Sequence, residues 1–120
     1  MSTLEITLAS ILRLSNITIL THLLIKNDAA HRYLDDFYHN TIRLFDEIVE
    51  THQGDTLELN QLEIGSSTGF VEISDYINLL GSMKTYYRDN KILFSPEIQS
   101  LFDELLLHIN KTIYKLKNLC

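Results

Sequence analysis

The strongest constraint on this chain is the periodicity of residues 29–53, AAHRYLDDFYHNTIRLFDEIVETHQ. Tyr33, Leu34, Phe37, Thr41, Leu44, Phe45 and Ile48 recur at the spacing of three and four that puts side chains on one stripe of an α-helix. Asn27 or Asp28 stands where an N-cap belongs, and Gly54 where a helix-ending glycine belongs. A helix with one long apolar stripe must bury it, and the rest of the chain offers only further helices for the purpose.

The preceding segment, residues 3–26, reads as a helix capped by Ser2 or Thr3. Leu4, Leu8, Ile11, Ile19 and His22 share one face, and Ile17, Leu20 and Leu24 fall on another. Being apolar on several sides, it is expected to be buried on several sides. With the helix over 29–53 it forms an antiparallel hairpin through the short break Lys26-Asn27-Asp28. Residues 54–70 hold three of the four glycines, with GSSTG as a plain loop signal. Leu57, Leu59, Leu62 and Ile64 suit a short helix or an extended piece that covers an open end of the core.

A third helix is expected over 71–90, on Ile73, Ile77, Leu80 and Tyr87, with Gly81 inside it. A fourth is expected over 96–118. Ser95-Pro96-Glu97 gives it a cap, a proline at the first helical position and an acidic first turn. Its core stripe is Leu101, Phe102, Leu105, Ile109, Ile113 and Leu116, and Lys111, Lys115 and Lys117 lie where the helix dipole favours cations. The expected architecture is all-α. Residues 1–120 form a single domain, a four-helix bundle with one long central connection, which is the ferritin-like connectivity.

Composition narrows the function. Sixteen acids against ten Lys and Arg give a formal charge of −6 and no basic footprint for nucleic acid, although Arg13, Arg32, Arg43 and the C-terminal lysines could gather into local patches in an oligomer. No apolar run reaches the ~18 residues expected of a membrane helix. The first residues lack the basic start of a secretory signal. The one cysteine, Cys120, excludes an intrachain disulfide, and a cytoplasmic setting is expected.

The chemistry-bearing residues concentrate in 22–50. His22, His31, Asp35, Asp46 and Glu50 are donors of the kind that bind iron, manganese or zinc. On a wheel with His31 at zero, Asp35 falls at about 40°, Asp46 at about 60° and Glu50 at about 100°. Ile42, Val49 and Tyr38 flank zero, so this stripe lies beside the core stripe. His31 and Asp46 are separated along the helix by about 22 Å, so one metal ion cannot touch both within one chain. An antiparallel second copy, with its two-fold axis near residues 40–42, would set His31 and Asp35 of one chain opposite Asp46 and Glu50 of the other. His22 would join from across the hairpin turn. The expected partner is therefore a second copy of the chain. His39, His52 and His108 have less claim, and Glu104 with His108 suits a surface pair at i, i+4.

The run His31-x3-Asp35-x10-Asp46-x3-Glu50, with the local text HRYLDDFY and the earlier His22, resembles the ferroxidase segment of Dps proteins, the ferritin-like miniferritins. The C-terminal TIYKLKNL, with Asp103-Glu104, is similar to the short Dps-like proteins encoded by tailed phages. The resemblance implies that His22, His31, Asp35, Asp46 and Glu50 are inter-subunit di-iron ligands, that iron(II) is oxidised there by peroxide or oxygen, and that a larger shell sequesters the product. It also implies a host cytoplasm for a phage-encoded member. The ferritin E-x-x-H motif is absent, which points away from a di-iron site inside one bundle. The alternative reading is a non-catalytic helical assembly protein, a viral structural or host-interaction module, in which the site is vestigial.

Overall fold

The computed structural model describes residues 2–56, 61–64 and 71–120. Four helices follow in order: α1 (Thr3–Leu24), α2 (Asp28–Thr56), α3 (Ile73–Lys91) and α4 (Pro96–Asn118). The described residues contain no strand, and the fold is an all-α four-helix bundle.

Local chemistry sets most helix ends. Ser2 caps α1 through a reciprocal capping box with Glu5: the Glu5 amide donates to Ser2 Oγ at 3.2 Å, and the Ser2 amide donates to Glu5 Oε1 at 2.8 Å. α1 stops two residues short of the expected Lys26, because Ile25 is already extended (φ −72°, ψ 138°). Asn27 is the cap of α2: its Oδ1 accepts the Ala30 amide at 2.9 Å. Ser95 caps α4, with Pro96 in the first turn, as expected.

Two further helix ends depart from expectation: α3 begins at Ile73, two residues after the expected start, and the end of α2 departs most. α2 does not stop at Gly54 but continues to Thr56. A glycine inside a helix costs only about 1 kcal/mol relative to alanine. The Thr56 hydroxyl donates to the His52 carbonyl at 3.0 Å in the turn that spans the glycine.

The helices run up, down, down and up. α1 packs on α2, α2 on α4 and α4 on α3, while α1 and α3 approach each other less closely. The start of α1, the end of α2 and the α3–α4 turn meet at one end of the bundle, where Leu4, His52, Thr56, Phe94 and Ile98 line a common cavity. The connection from α2 to α3 therefore travels the length of the bundle. It is tied to α1 at two points: Arg13 donates to the Ile64 carbonyl at 2.6 Å, and the Val71 amide donates to Thr21 Oγ1 at 3.3 Å. Leu62 and Val71 pack on the core from this side. Residues 61–64 are not helical, and Leu57, Leu59 and the GSSTG stretch lie outside the described residues.

The core holds Leu8, Ile11 and Leu14 of α1, Leu34, Phe37, Leu44 and Ile48 of α2, Leu80 of α3, and Phe102, Leu105 and Ile109 of α4. Burying each such side chain fully contributes about 1.5–3 kcal/mol. Along α1 the buried face differs from the expected one. It continues from Ile11 through Leu14, Ser15, Thr18 and Thr21, while Ile19 and His22 are half-buried and Leu20 and Leu24 are exposed. By length and composition α1 could cross a membrane, although its apolar residues form no long unbroken run. Half of its most apolar stretch is buried in the bundle, as a core helix requires.

The buried hydroxyls of α1 face α3. Thr18 Oγ1 lies 2.6 Å from the Tyr76 hydroxyl, and Ser10 Oγ lies 3.2 Å from the Tyr87 hydroxyl. Thr18 already donates to the Leu14 carbonyl at 2.7 Å, so Tyr76 is the donor in its pair. Burial holds both phenols well above their ordinary pKa. Tyr87 as a core aromatic agrees with expectation. Tyr76, which the periodicity of α3 left unmarked, is fully buried, while Ile73 and Ile77 are only partly so.

Two outcomes are expected. Thr18→Val strands the buried Tyr76 hydroxyl and costs about 1–3 kcal/mol, whereas Tyr76→Phe costs about 1 kcal/mol because Thr18 keeps its bond to Leu14. Urea unfolding of the two variants measures the difference. The second concerns His108, where burial is the main cause lowering the pKa from 6.5, partly opposed by Glu104. A histidine with a depressed folded pKa contributes stability that is complete above pH 6.5 and is lost as pH falls through the folded value. His108→Gln should therefore flatten the acid side of a Tm-against-pH curve and leave Tm unchanged at pH 8.

Candidate metal centre at the α1–α2 turn

The break between α1 and α2 is short, so the last turn of one helix lies beside the first turns of the other. This packing brings together three of the five expected donors. The His22 and His31 rings stack with centroids 4.1 Å apart and planes at 26°. His22 Nε2 lies 3.5 Å from Asp35 Oδ1. The His22 side chain is 13% exposed and that of Asp35 is 46% exposed, so the cluster sits where the bundle meets solvent.

The hydrogen bonding assigns the tautomer of His31. Its Nδ1 is 2.8 Å from the His22 carbonyl oxygen. A carbonyl only accepts, so Nδ1 carries the hydrogen, and in the neutral ring Nε2 keeps its lone pair. A ring nitrogen tied to a backbone carbonyl, with the other left as an acceptor, is the usual state of a metal-bound imidazole. His22 shows the complementary feature. Its Nδ1 is buried and has no hydrogen-bond partner, an arrangement that costs stability in the free chain.

His39, which has less claim than the five donors by sequence, lies beside Asp35 in the structure. It lies at i+4 from Asp35, with its Nδ1 2.8 Å from the Asp35 carbonyl oxygen and 3.6 Å from Asp35 Oδ1. His22 and His39 thus approach the same carboxylate oxygen of Asp35. The i, i+4 spacing in the sequence was the available signal. His108 is instead paired with Glu104 at 3.8 Å, as expected of a surface pair. Arg43 also holds Glu104, at 2.7 Å, and this bond keeps its guanidinium charged more firmly than usual.

Asp46 and Glu50 do not join this cluster. Both are exposed, three to four turns further along α2. Among the described residues no group of three or more His, Cys, Asp or Glu converges closely enough to hold a metal ion within one chain. The donor set of a single copy is thus split: two imidazoles and a carboxylate at one end of α2, and two carboxylates toward the other.

The outer side of the α1–α2 pair is apolar as well. Leu12 and Ile19 of α1 and Tyr38 and Ile42 of α2 are half-buried without joining the core, and Leu20 and Leu23 are exposed. Comparison of the chain with protein-family models, with curated proteins and with solved structures gives no match.

The orphaned nitrogen yields an expected outcome. His22→Phe keeps the ring stacked on His31 and removes the unpartnered buried Nδ1, so the metal-free protein gains about 1 kcal/mol. Thermal denaturation in the presence of a chelator checks this. A destabilised variant would mean that the His22 nitrogens contribute stability in the free chain.

Proposed function

We propose that the chain binds iron(II) as a substrate at sites shared between two antiparallel copies of α2, and that it acts as a Dps-like iron-oxidising or iron-sequestering protein. The observation that carries the reading is the convergence of His22, His31 and Asp35 at one end of α2, with His31 Nε2 left as a free acceptor. The split donor set gives the reason for two copies. Asp46 and Glu50 of a second, antiparallel chain would complete the set begun by His22, His31 and Asp35. The half-buried Tyr38 and Ile42 would lie near the two-fold axis. Imidazole and carboxylate donors suit iron, and manganese or zinc would compete for the same groups. Iron(II) held by such donors can give up an electron to oxygen or peroxide.

In this arrangement the side chains have distinct roles. His31 donates through Nε2 because the His22 carbonyl holds its other nitrogen. Asp35 offers its carboxylate beside His22 Nε2. Asp46 and Glu50, exposed in the single copy, supply most of the negative charge that offsets the cation.

The expected result is that the double variant Asp46→Ala/Glu50→Ala loses metal uptake in anaerobic calorimetry while its far-ultraviolet circular dichroism stays helical. Mixing it with His22→Ala/His31→Ala should restore part of the uptake, because one of the two sites in a mixed dimer is intact. Wild-type protein that takes up no iron(II), manganese or zinc sinks the proposal. Uptake that mixing does not restore would place the site within one chain. A variant lacking all five donors that assembles like wild type, from a wild-type protein that binds no metal, would favour the helical assembly module.

A further inference from the structure

We propose that the groove between α3 and α4 binds a compact anion carrying two or more linked phosphate groups. The groove measures about 690 Å³ and is lined by Lys84 and Arg88 of α3 and Lys117 of α4.

The distribution of charge is the first observation. Among the ten Lys and Arg, Arg32, Arg43 and Lys91 are ion-paired, Arg13 holds the Ile64 carbonyl, and Lys115 lies over the Tyr33 ring. Lys26, Lys84, Arg88, Lys111 and Lys117 make no such contact among the described residues, and three of these five line this one groove. Lys84 is half-buried. Lys84 and Arg88 are spaced i, i+4, so they repel each other along the helix. In a chain with an acidic excess, three clustered cations without an acid partner make a local positive potential that a bound anion would relieve.

The floor of the groove is the second observation. Gly81 lies in it, in the interior of α3, and a Cβ added there would meet nothing within 4 Å. Internal packing therefore does not require the glycine, which weakens the helix relative to alanine. What the glycine does is leave backbone open at the centre of the groove. Asn78 and Ser82 flank it, exposed and without a hydrogen-bond partner among the described residues, and so can donate to phosphate oxygens.

The surroundings limit the ligand's length. Glu72 and Asp75 stand beyond one end of the groove on the α3 side and Asp89 beyond the other, all exposed. A long polyanion laid along α3 would meet these carboxylates. A short one, with its charge confined between Lys84, Arg88 and Lys117, would not.

The test uses metal-free full-length protein at low ionic strength with sodium tripolyphosphate as the probe, followed by calorimetry and by amide shifts at Gly81 and Ser82. Lys84→Gln/Arg88→Gln/Lys117→Gln should weaken binding roughly tenfold or more, while the control Lys26→Gln/Lys111→Gln leaves it unchanged. Gly81→Ala, whose Cβ meets nothing within 4 Å, should keep or raise Tm, and Gly81→Leu, which puts a bulky apolar group into the groove, should abolish binding. ATP in a parallel titration separates the sources of the phosphates. Equal affinity assigns recognition to the phosphates alone, tighter ATP binding gives the nucleoside a part, and both support the site. The proposal is overturned if tripolyphosphate does not bind, if the control weakens binding as much as the groove variants, or if single-stranded DNA binds more tightly than either probe. None of these readouts involves the histidines of α1 and α2, so this site and the metal centre stand or fall separately.

Discussion

A helix that buries serine and threonine hydroxyls must find partners for them, and this requirement shapes one side of the bundle. α1 buries Thr7, Ser10, Ser15, Thr18 and Thr21. Each of Thr7, Ser10, Ser15 and Thr18 donates back to a carbonyl of its own helix, which leaves the oxygen lone pairs facing inward. Tyr76 and Tyr87 reach from α3 to Thr18 and Ser10 at antiparallel register and fill the space that keeps α1 and α3 apart. The connection from α2 to α3 closes the seam from outside through Arg13, Thr21 and Leu62. A polar contact set of this kind costs stability when any one member is removed, so it also specifies which helix lies opposite α1.

The direction of the helices follows from that seam and bears on the chemistry. Because α3 runs antiparallel to α1, the connection before it has to climb the bundle, and α2 is left free to pack against both α1 and α4. α2 is thus the best-supported helix and the most acidic, with Asp28, Asp35, Asp36, Asp46, Glu47, Glu50 and Asp55 along it. A rigid helix holds donors at known spacing, and the tight turn before it delivers His22 to the first of them. Of the five cations without partners, Lys84, Arg88, Lys111 and Lys117 lie on α3 and α4, and Lys26 lies in the α1–α2 break.

Several parts of the fold and site were readable along the chain. The stripe on α2 appears in the structure as Leu34, Phe37, Thr41, Leu44 and Ile48, all buried, and Ser95-Pro96 marks the start of α4. Gly54 misled, because a glycine near a helix end is also tolerated inside the helix when the neighbouring turns hold. Tyr76 was missed because Ile73 and Ile77 carry the stronger apolar signal, while a tyrosine is buried only when something opposite accepts its hydroxyl. His39 was undervalued for a related reason: its worth depends on where Asp35 points.

The amino-acid sequence by itself determined the number of helices, three of the four helix starts to within a residue and the long connection, and it marked five candidate donors. It also determined that those donors cannot close on one ion within a single helix. These properties are local, set by capping, side-chain period and the rise of the helix. Only the tertiary structure decided that His22 stacks on His31 rather than following the core stripe of α1. It also decided that Tyr76 and Tyr87 answer the hydroxyls of α1, and that Lys84, Arg88 and Lys117 share one groove. Each of these is a meeting of residues far apart in sequence or across a turn. Which faces meet is chosen by the packing of all four helices at once, a choice that no single segment's periodicity contains.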